Sequence, residues 1–245
     1  MPKLFITSDN HSYFTPLKEA LDKAGFDPEN DNHYLVSLGD AFDRGPDSVK
    51  LLKYLMSLER KILVKGNHDI LLSDLCERGF PYSYDKSNGT IRTVQDISGK
   101  QSAYDFQNAC MITYNKLARY RELLVNYFET KNYIFVHSWI PTIEIGYDKY
   151  EYRQDWRNAN DVEWEEAMWC NPFNRAEQDL NKTGKTIVFG HWHCSTGHKM
   201  LGNCNGEFEY AIWEPCYFKN TIGIDRCTYY TSEVNVLVLE DDFLE

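Results

Sequence analysis

Residues 62–71 read ILVKGNHDIL, an apolar strand that runs without a turn signal into Gly66, Asn67, His68 and Asp69. None of these four residues favours continuing a strand, and together they present an amide, an imidazole and a carboxylate at one point of the chain. The same grammar recurs four times. KLFITS (3–8) precedes Asp9 and His11, HYLVSLGD (33–40) ends in Asp40, NYIFVHSW (132–139) carries His137, and KTIVFGHWH (185–193) carries His191 and His193. Between the first three strands lie helical patterns. In TPLKEALDKAG (15–25), Thr15 reads as the N-cap, Pro16 as the first helical residue and Gly25 as the stop. In DSVKLLKYLMSL (47–58), Leu51, Leu52, Leu55 and Leu58 share one helical face. Strand, helix, strand, helix, strand predicts a parallel sheet with right-handed crossovers. Asp9, Asp40 and Asn67 follow one another at about thirty residues, the length of one βαβ unit, so successive strands deliver them to the same sheet edge. That edge is where open α/β sheets bind ligands.

The rest of the chain reads less sharply. Residues 80–131 show helical periodicity and no strand, which predicts a helical insert within a single domain spanning 1–245. The region between the fourth and fifth strands reads as long loops and short helices near the site. In the C-terminal third, EYAIW (209–213), NTIGID (220–225) and VNVLVLED (234–241) read as short strands of an antiparallel sheet.

Bulk properties bound the function. With 245 residues, 42% hydrophobic and 15% aromatic, the chain can bury one sizeable core. A formal charge of −11 and no Lys/Arg run exclude nucleic acid and anionic membranes as partners. The start, MPKLFITSDNH, enters a strand with no signal-peptide pattern, and no stretch approaches a membrane span, so a cytoplasmic protein is expected. Seven cysteines without a CxxC pair fit scattered reduced thiols, and the spacing of Cys194, Cys204, Cys216 and Cys227 resembles no zinc knuckle.

Two carboxylates (Asp9, Asp40), one amide oxygen (Asn67) and four imidazoles (His11, His137, His191, His193) exceed the coordination of one divalent ion. They suit two ions sharing a bridging carboxylate, and Asp40 on the central strand is the natural bridge. Mixed oxygen and imidazole donors favour Mn, Fe or Zn over Ca or Mg.

DNH at 9–11, GDAFDRG at 39–45, GNHD at 66–69, VH at 136–137 and GHWH at 190–193 resemble the five signature blocks of the calcineurin-like metallophosphoesterases, in that family's order and across most of the chain. The resemblance implies an α/β fold, a β-sandwich core flanked by helices. It implies a first metal on Asp9, His11, Asp40 and His193, and a second on Asp40, Asn67, His137 and His191. It casts His68 as proton donor or oxyanion partner, Asp43 as its orienting carboxylate and Arg44 as a phosphate clamp, with Asn67 and His68 also against substrate. Two dications less two Asp and a bridging hydroxide leave about one positive charge, to which Arg44 adds another, so phosphate can enter despite the acidic exterior. A metal-bound water with its pKa lowered to roughly 7 would attack phosphorus in line.

Substrate choice is less fixed. The flanking Ser8 and Ser12, Asp69 in GNHD, and HSW after the fourth strand depart from the phosphoprotein phosphatase pattern, which has glycines, GNHE and HGG. DRGPDSVKLLKYL followed by VKGNHDILL also resembles the bacterial diadenosine tetraphosphatases, although Asp43 is more typical of phosphatases. The leading expectation is a phosphomonoesterase of the serine/threonine phosphatase type acting on a phosphorylated small molecule, nucleotide or phosphoprotein. The alternative is a dinucleoside polyphosphate hydrolase, and the reading from another class is a non-catalytic metal-binding scaffold. Asp69 is expected to cap the helix that follows it, and Asp225 to support the site or form a turn. Trp192 is a candidate for stacking on a nucleobase, and Arg153, Arg157 and Arg175 for a second phosphate contact. His33 and His198 read as ordinary polar residues.

Overall fold

In the first strand Leu4 and Ile6 face one way and Phe5 the other, and all three are fully buried. A strand apolar on both sides must be covered on both sides. The computed structural model, which describes residues 1–244, shows by what. In chain order the first elements are β1 (Lys3–Thr7), α1 (Phe14–Ala24), β2 (His33–Ser37), α2 (Ser48–Ser57), β3 (Lys61–Val64) and α3 (Asn67–Arg78). Then come α4 (Ser83–Asn88), α5 (Thr90–Ser98), α6 (Phe106–Lys116), α7 (Ala118–Glu122), β4 (Leu124–Val125), β5 (Tyr127–Glu129) and β6 (Tyr133–Val136). The hairpin β7 (Thr142–Gly146) and β8 (Lys149–Tyr152) leads to α8 (Asp161–Trp169), α9 (Pro172–Glu177) and β9 (Thr186–Phe189). Last are α10 (Cys194–Met200), β10 (Cys216–Phe218), β11 (Thr221–Gly223), α11 (Thr228–Thr231) and β12 (Leu237–Glu240).

One sheet has the order β12-β1-β2-β3-β4, the other β10-β11-β9-β6-β5. β1, β2 and β3 pair in parallel, as the sequence pattern requires. Between the sheets, Leu4, Ile6, Val36, Leu38 and Val64 meet Phe135, Val188, Ile222 and Ile224. The outer face of the first sheet packs Phe5, Leu35 and Leu63 against α1, α2, α3, α5 and α6 through Leu17, Leu21, Leu51, Leu55, Leu75, Val94 and Ala109. The outer face of the second packs Ile134, Val136, Ile187 and Phe189 against Trp139, Trp156, Trp164 and Phe173. Three apolar layers thus separate helices, sheet, sheet and helices, the α/β sandwich expected from the sequence.

Four local expectations are corrected. α1 begins at Phe14 with Tyr13 at its cap, so Thr15 is not the N-cap and Pro16 sits inside the first turn, where its missing N–H costs nothing. Gly25 does end the helix, in the left-handed conformation at φ 83°. Residues 80–131 carry the two strands β4 and β5 at their C-terminal end, each too short to show a period. The region after the fourth strand contains the β7–β8 hairpin, whose alternation TIEIG and KYEY is broken by a turn at Asp148 with φ 52°. Finally, EYAIW is not a strand and the C-terminal strands form no sheet of their own. β10 is antiparallel to β11, but β11 runs parallel to β9, and β12 adds antiparallel to β1. Tyr210 turns the chain at φ 59° and is largely exposed, so the apolar residues of 209–213 serve a rim instead. The seven cysteines are free thiols, and no helix among the described residues is long and apolar enough to cross a membrane.

Candidate active site

The C-terminal ends of β1, β2 and β3 in one sheet and of β6 and β9 in the other open onto one cavity of about 170 Å³. Asp9, His11, Asp40, Arg44, Asn67, His68, His191 and His193 line it, together with Asp225, Trp169 and Tyr229. His137 lies behind this lining, against Asn67 and His191. The backbone is forced into unusual conformations to do this. Asp9, His11, Ser12, Asp40, Asp43, Arg44 and His191 all have positive φ, between 47° and 73°. Such residues cost energy and persist where the surrounding structure fixes them, typically at functional sites. Two glycines are dictated by close approach. A Cβ on Gly66 would lie 2.1 Å from Asp40 Oδ1, and one on Gly190 would lie 1.7 Å from Ser8 Oγ and 2.4 Å from Asp9 Oδ2. β3 ends at Val64, and two residues later Gly66 lets the chain pass directly against the Asp40 carboxylate.

Two donor groups emerge, His11, Asp40 and His68, and Asp40, His137 and His191, each with its ligand atoms within 4.8 Å of one another. They share Asp40. His137 Nδ1 donates to the Leu38 carbonyl at 2.7 Å, which leaves Nε2 turned to Asn67 Oδ1 at 2.8 Å, His191 Nδ1 at 3.2 Å and Asp40 Oδ1 at 3.6 Å. His11 Nδ1 likewise donates to the Phe42 carbonyl at 2.9 Å. In both rings a backbone acceptor fixes the tautomer and frees the other nitrogen's lone pair, as in metal-ligating histidines. Around His137 the freed lone pair faces further acceptors, an arrangement that a cation would satisfy. Burial supports this chemistry. It holds His11 well below the ordinary imidazole range and His191 down to about 3, so both rings are neutral, the form that binds metal. For Asp40 burial acts to raise the pKa, but the imidazoles around it, His137 and His68 first, outweigh burial and hold the carboxyl below the usual carboxylate range.

Asp9 and His193, expected at a first metal, line the same cavity. Asp9 Oδ2 accepts the His191 N–H at 2.9 Å and the Ser8 hydroxyl, while His193 Nε2 lies 4.0 Å from Asp225 Oδ2 and packs on Phe208 and Trp213. Both border the cavity, but the tight first group holds His68 instead. His68 Nδ1 is 2.8 Å from Asp43 Oδ2, and its Nε2 is 3.3 Å from Arg44 Nη2, whose guanidinium lies 4.4 Å from the Tyr229 ring. Burial would lower the His68 pKa, but Asp40 and Asp43 outweigh it and raise it.

Other candidates fall elsewhere. Arg153 is paired with Asp155 and Glu163, Arg157 with Glu129, and Arg175 is buried over Tyr150. None of the three reaches the cavity, which corrects that expectation. Trp192 packs on the second sheet's outer core and not in the cavity; the exposed indole at the mouth is Trp169. Asp225 serves both roles considered for it, facing His193 and accepting the Cys227 N–H at 2.7 Å in a turn. His33 accepts the Asp27 N–H and His198 contacts the Glu214 carbonyl, both outside the site. Sequence reading missed Asn88, Thr90, Thr93 and Tyr229, which have no periodic or motif signal and are brought in by the fold alone.

Asp69 caps α3 as expected, accepting the Gly66 N–H at 2.8 Å, and also takes the Tyr120 hydroxyl at 2.9 Å. Burial, with Asp40 nearby, pushes its carboxyl up to about 6. Because the folded value lies above the unfolded one, the stabilising contribution is full below about pH 4 and is lost as pH rises through 6, an effect of up to ~3 kcal/mol. Asp69→Asn keeps an acceptor for Gly66 without the charge. Urea unfolding of metal-free protein should therefore show the variant gaining on the wild type by roughly 1–3 kcal/mol between pH 4.5 and 7.5; a constant difference would refute the burial argument.

Residues 2–195 match the family model of the calcineurin-like phosphoesterases. The chain belongs to the calcineurin-like phosphoesterase family. A symmetrical bis(5'-nucleosyl)-tetraphosphatase of Pseudomonas fluorescens is 30% identical over 141 residues, which cover 56% of this chain and 43% of that protein. The chain thus spans less than half the length of this relative. Two solved structures share the fold of this calcineurin-like chain. A protein serine/threonine phosphatase from Saccharomyces cerevisiae superposes with TM-score 0.55 at 14% identity, covering 100% of this chain and 81% of its own. A candidate diadenosine tetraphosphatase gives TM-score 0.52 at 16% identity, covering 98% and 91%. Family membership implies divalent metal, and the donor chemistry described above fits it.

Proposed function

We propose that this calcineurin-like phosphoesterase hydrolyses phosphoric esters or anhydrides with a pair of divalent ions. The observation that carries the proposal is the sharing of Asp40 by two donor groups whose imidazole tautomers are fixed by the Leu38 and Phe42 carbonyls. His11 and Asp40, with Asp9 and His193 closing from the rim, would hold one ion; Asp40, Asn67, His137 and His191 would hold the other. The ions, when bound, supply Lewis acidity and a nucleophile at neutral pH. The chain does the rest. Arg44, braced on Tyr229, offers a forked donor to phosphate oxygens. His68, aligned by Asp43, directs Nε2 into the cavity, where it delivers a proton to the leaving oxygen.

Between substrate classes we favour a dinucleoside polyphosphate. The curated relative supports it, and so do the half-exposed Trp169 and the Tyr229 ring at the cavity mouth, two faces on which bases could stack. This reverses the order of the two readings made from sequence. The Asp43–His68 pair keeps the serine/threonine phosphatase type as the second reading. Manganese-loaded protein should be assayed on diadenosine tetraphosphate, a phosphopeptide and an aryl phosphate. Symmetrical cleavage to two ADP, at least ten times faster than either monoester, is expected. Faster phosphopeptide hydrolysis would transfer the proposal to the second reading, and inactivity on all three would sink both.

A further inference from the structure

Asp43 is completely buried, and the backbone there is left-handed, with φ 73°. Besides His68, its carboxylate accepts two hydroxyls from α5: Thr90 Oγ1 reaches Oδ2 at 2.8 Å and Thr93 Oγ1 reaches Oδ1 at 2.9 Å. Thr93 Oγ1 also accepts the Asp43 N–H at 3.1 Å, closing a ring between side chain and backbone. Both threonines are buried. α5 begins after Gly89, where an added Cβ would lie 2.5 Å from the Arg44 nitrogen, so the helix end sits directly on the Asp43–Arg44 backbone.

We propose that Thr90 and Thr93 are positioning residues for the His68 proton donor, and that the segment around α5 is thereby part of the acid–base apparatus. The inference rests on the role given to His68 above. A carboxylate has about four acceptor directions on two oxygens. Thr93 takes one direction on Oδ1 and Thr90 one on Oδ2, which leaves the second direction of Oδ2 for His68 Nδ1. That bond selects the Nδ1–H tautomer. Arg44 agrees with this choice in the neutral ring, because a guanidinium only donates and its contact with His68 Nε2 is a hydrogen bond only when that nitrogen is bare; the ring acts as donor after Nε2 takes up a proton from solvent, with Nδ1–H still held by Asp43. Removing the hydroxyls frees the carboxylate to turn, and the imidazole loses both its tautomer preference and its aim.

A purely structural role would lower the rate on every substrate alike, whereas loss of proton donation is felt mainly by poor leaving groups. The test is the Thr90→Val/Thr93→Val double variant, with Thr90→Ser/Thr93→Ser as the conservative rescue, both manganese-loaded. For an alkyl phosphate kcat should fall about 10–100-fold, part of the 10²–10⁴-fold that a positioned acid supplies. For p-nitrophenyl phosphate it should change less than about threefold, KM should stay within twofold, and the Ser pair should restore kcat. In metal-free protein, 15N NMR of His68 should show the Nδ1–H tautomer in wild type and a mixture in the Val pair. Equal losses on both phosphates, or an unchanged tautomer, overturn the inference. If wild type hydrolyses neither phosphate nor diadenosine tetraphosphate, the proposed function fails, while the NMR result still decides the positioning role. Should the double variant unfold, Thr90→Val alone carries the same readouts, since Thr93 keeps its ring with Asp43.

Discussion

Asp40→Ala is expected to lower kcat by at least on the order of 10³-fold while leaving the fold intact. The size of the effect follows from position. Asp40 is the one residue common to both donor groups, and its Oδ1 also accepts the His68 N–H at 2.9 Å, so a single truncation opens both metal positions and releases the start of α3. Removing an outer hydrogen-bond partner of a metal ligand costs about 10–100-fold in affinity; removing a shared ligand should cost more at each position. Elemental analysis of the purified variant should find no more than one divalent ion per chain, with far-ultraviolet circular dichroism unchanged. Two retained ions would show that Asp40 is not the bridge.

His68→Ala should reduce kcat by about 10²–10⁴-fold on substrates with poor leaving groups, with the metal content unchanged. The second half of that expectation is the sharper one. The structure gathers His68 with His11 and Asp40 within ligand distance of one another, while Asp9 and His193 line the same cavity outside that group. Two accounts of His68 therefore compete, as proton donor and as ligand. The pairing of Nδ1 with Asp43 suits either, since ligating histidines also pass their other nitrogen to a carboxylate. Metal analysis of the variant separates them: full occupancy with slow turnover supports the donor role, and loss of one ion with the same slow turnover assigns His68 to the first metal.

Much of this was legible in the chain because strand ends and site residues coincide. Asp9, Asp40, Asn67, His137 and His191 each follow an apolar run of β character, and the βαβ spacing alone directs the first three to one edge. The structure brings Asp9, Asp40, Asn67 and His191 to one cavity and sets His137 directly behind Asn67 and His191. What stayed hidden has physical causes. β4 and β5 comprise two and three residues, too few for any period to show. The start of α1 is set by tertiary contacts of the DNHS loop, and a local cap motif at Thr15 does not compete with them. The direction of β11 depends on which strand it lies beside, not on its own residues. Thr90 and Thr93 carry no chemistry of their own; they matter because Gly89 lets a helix from a distant part of the chain rest on Asp43. The three arginines failed as candidates for an equally plain reason, since charge in sequence does not reveal that Glu129, Asp155 and Glu163 or a tyrosine ring already engage it.

The most direct test is an anomalous difference map at the manganese edge from crystals of this protein grown with Mn²⁺. Two peaks about 3.5–4 Å apart, one on either side of the Asp40 carboxylate, are predicted. A single peak, or two that do not share Asp40, would contradict the two-ion account.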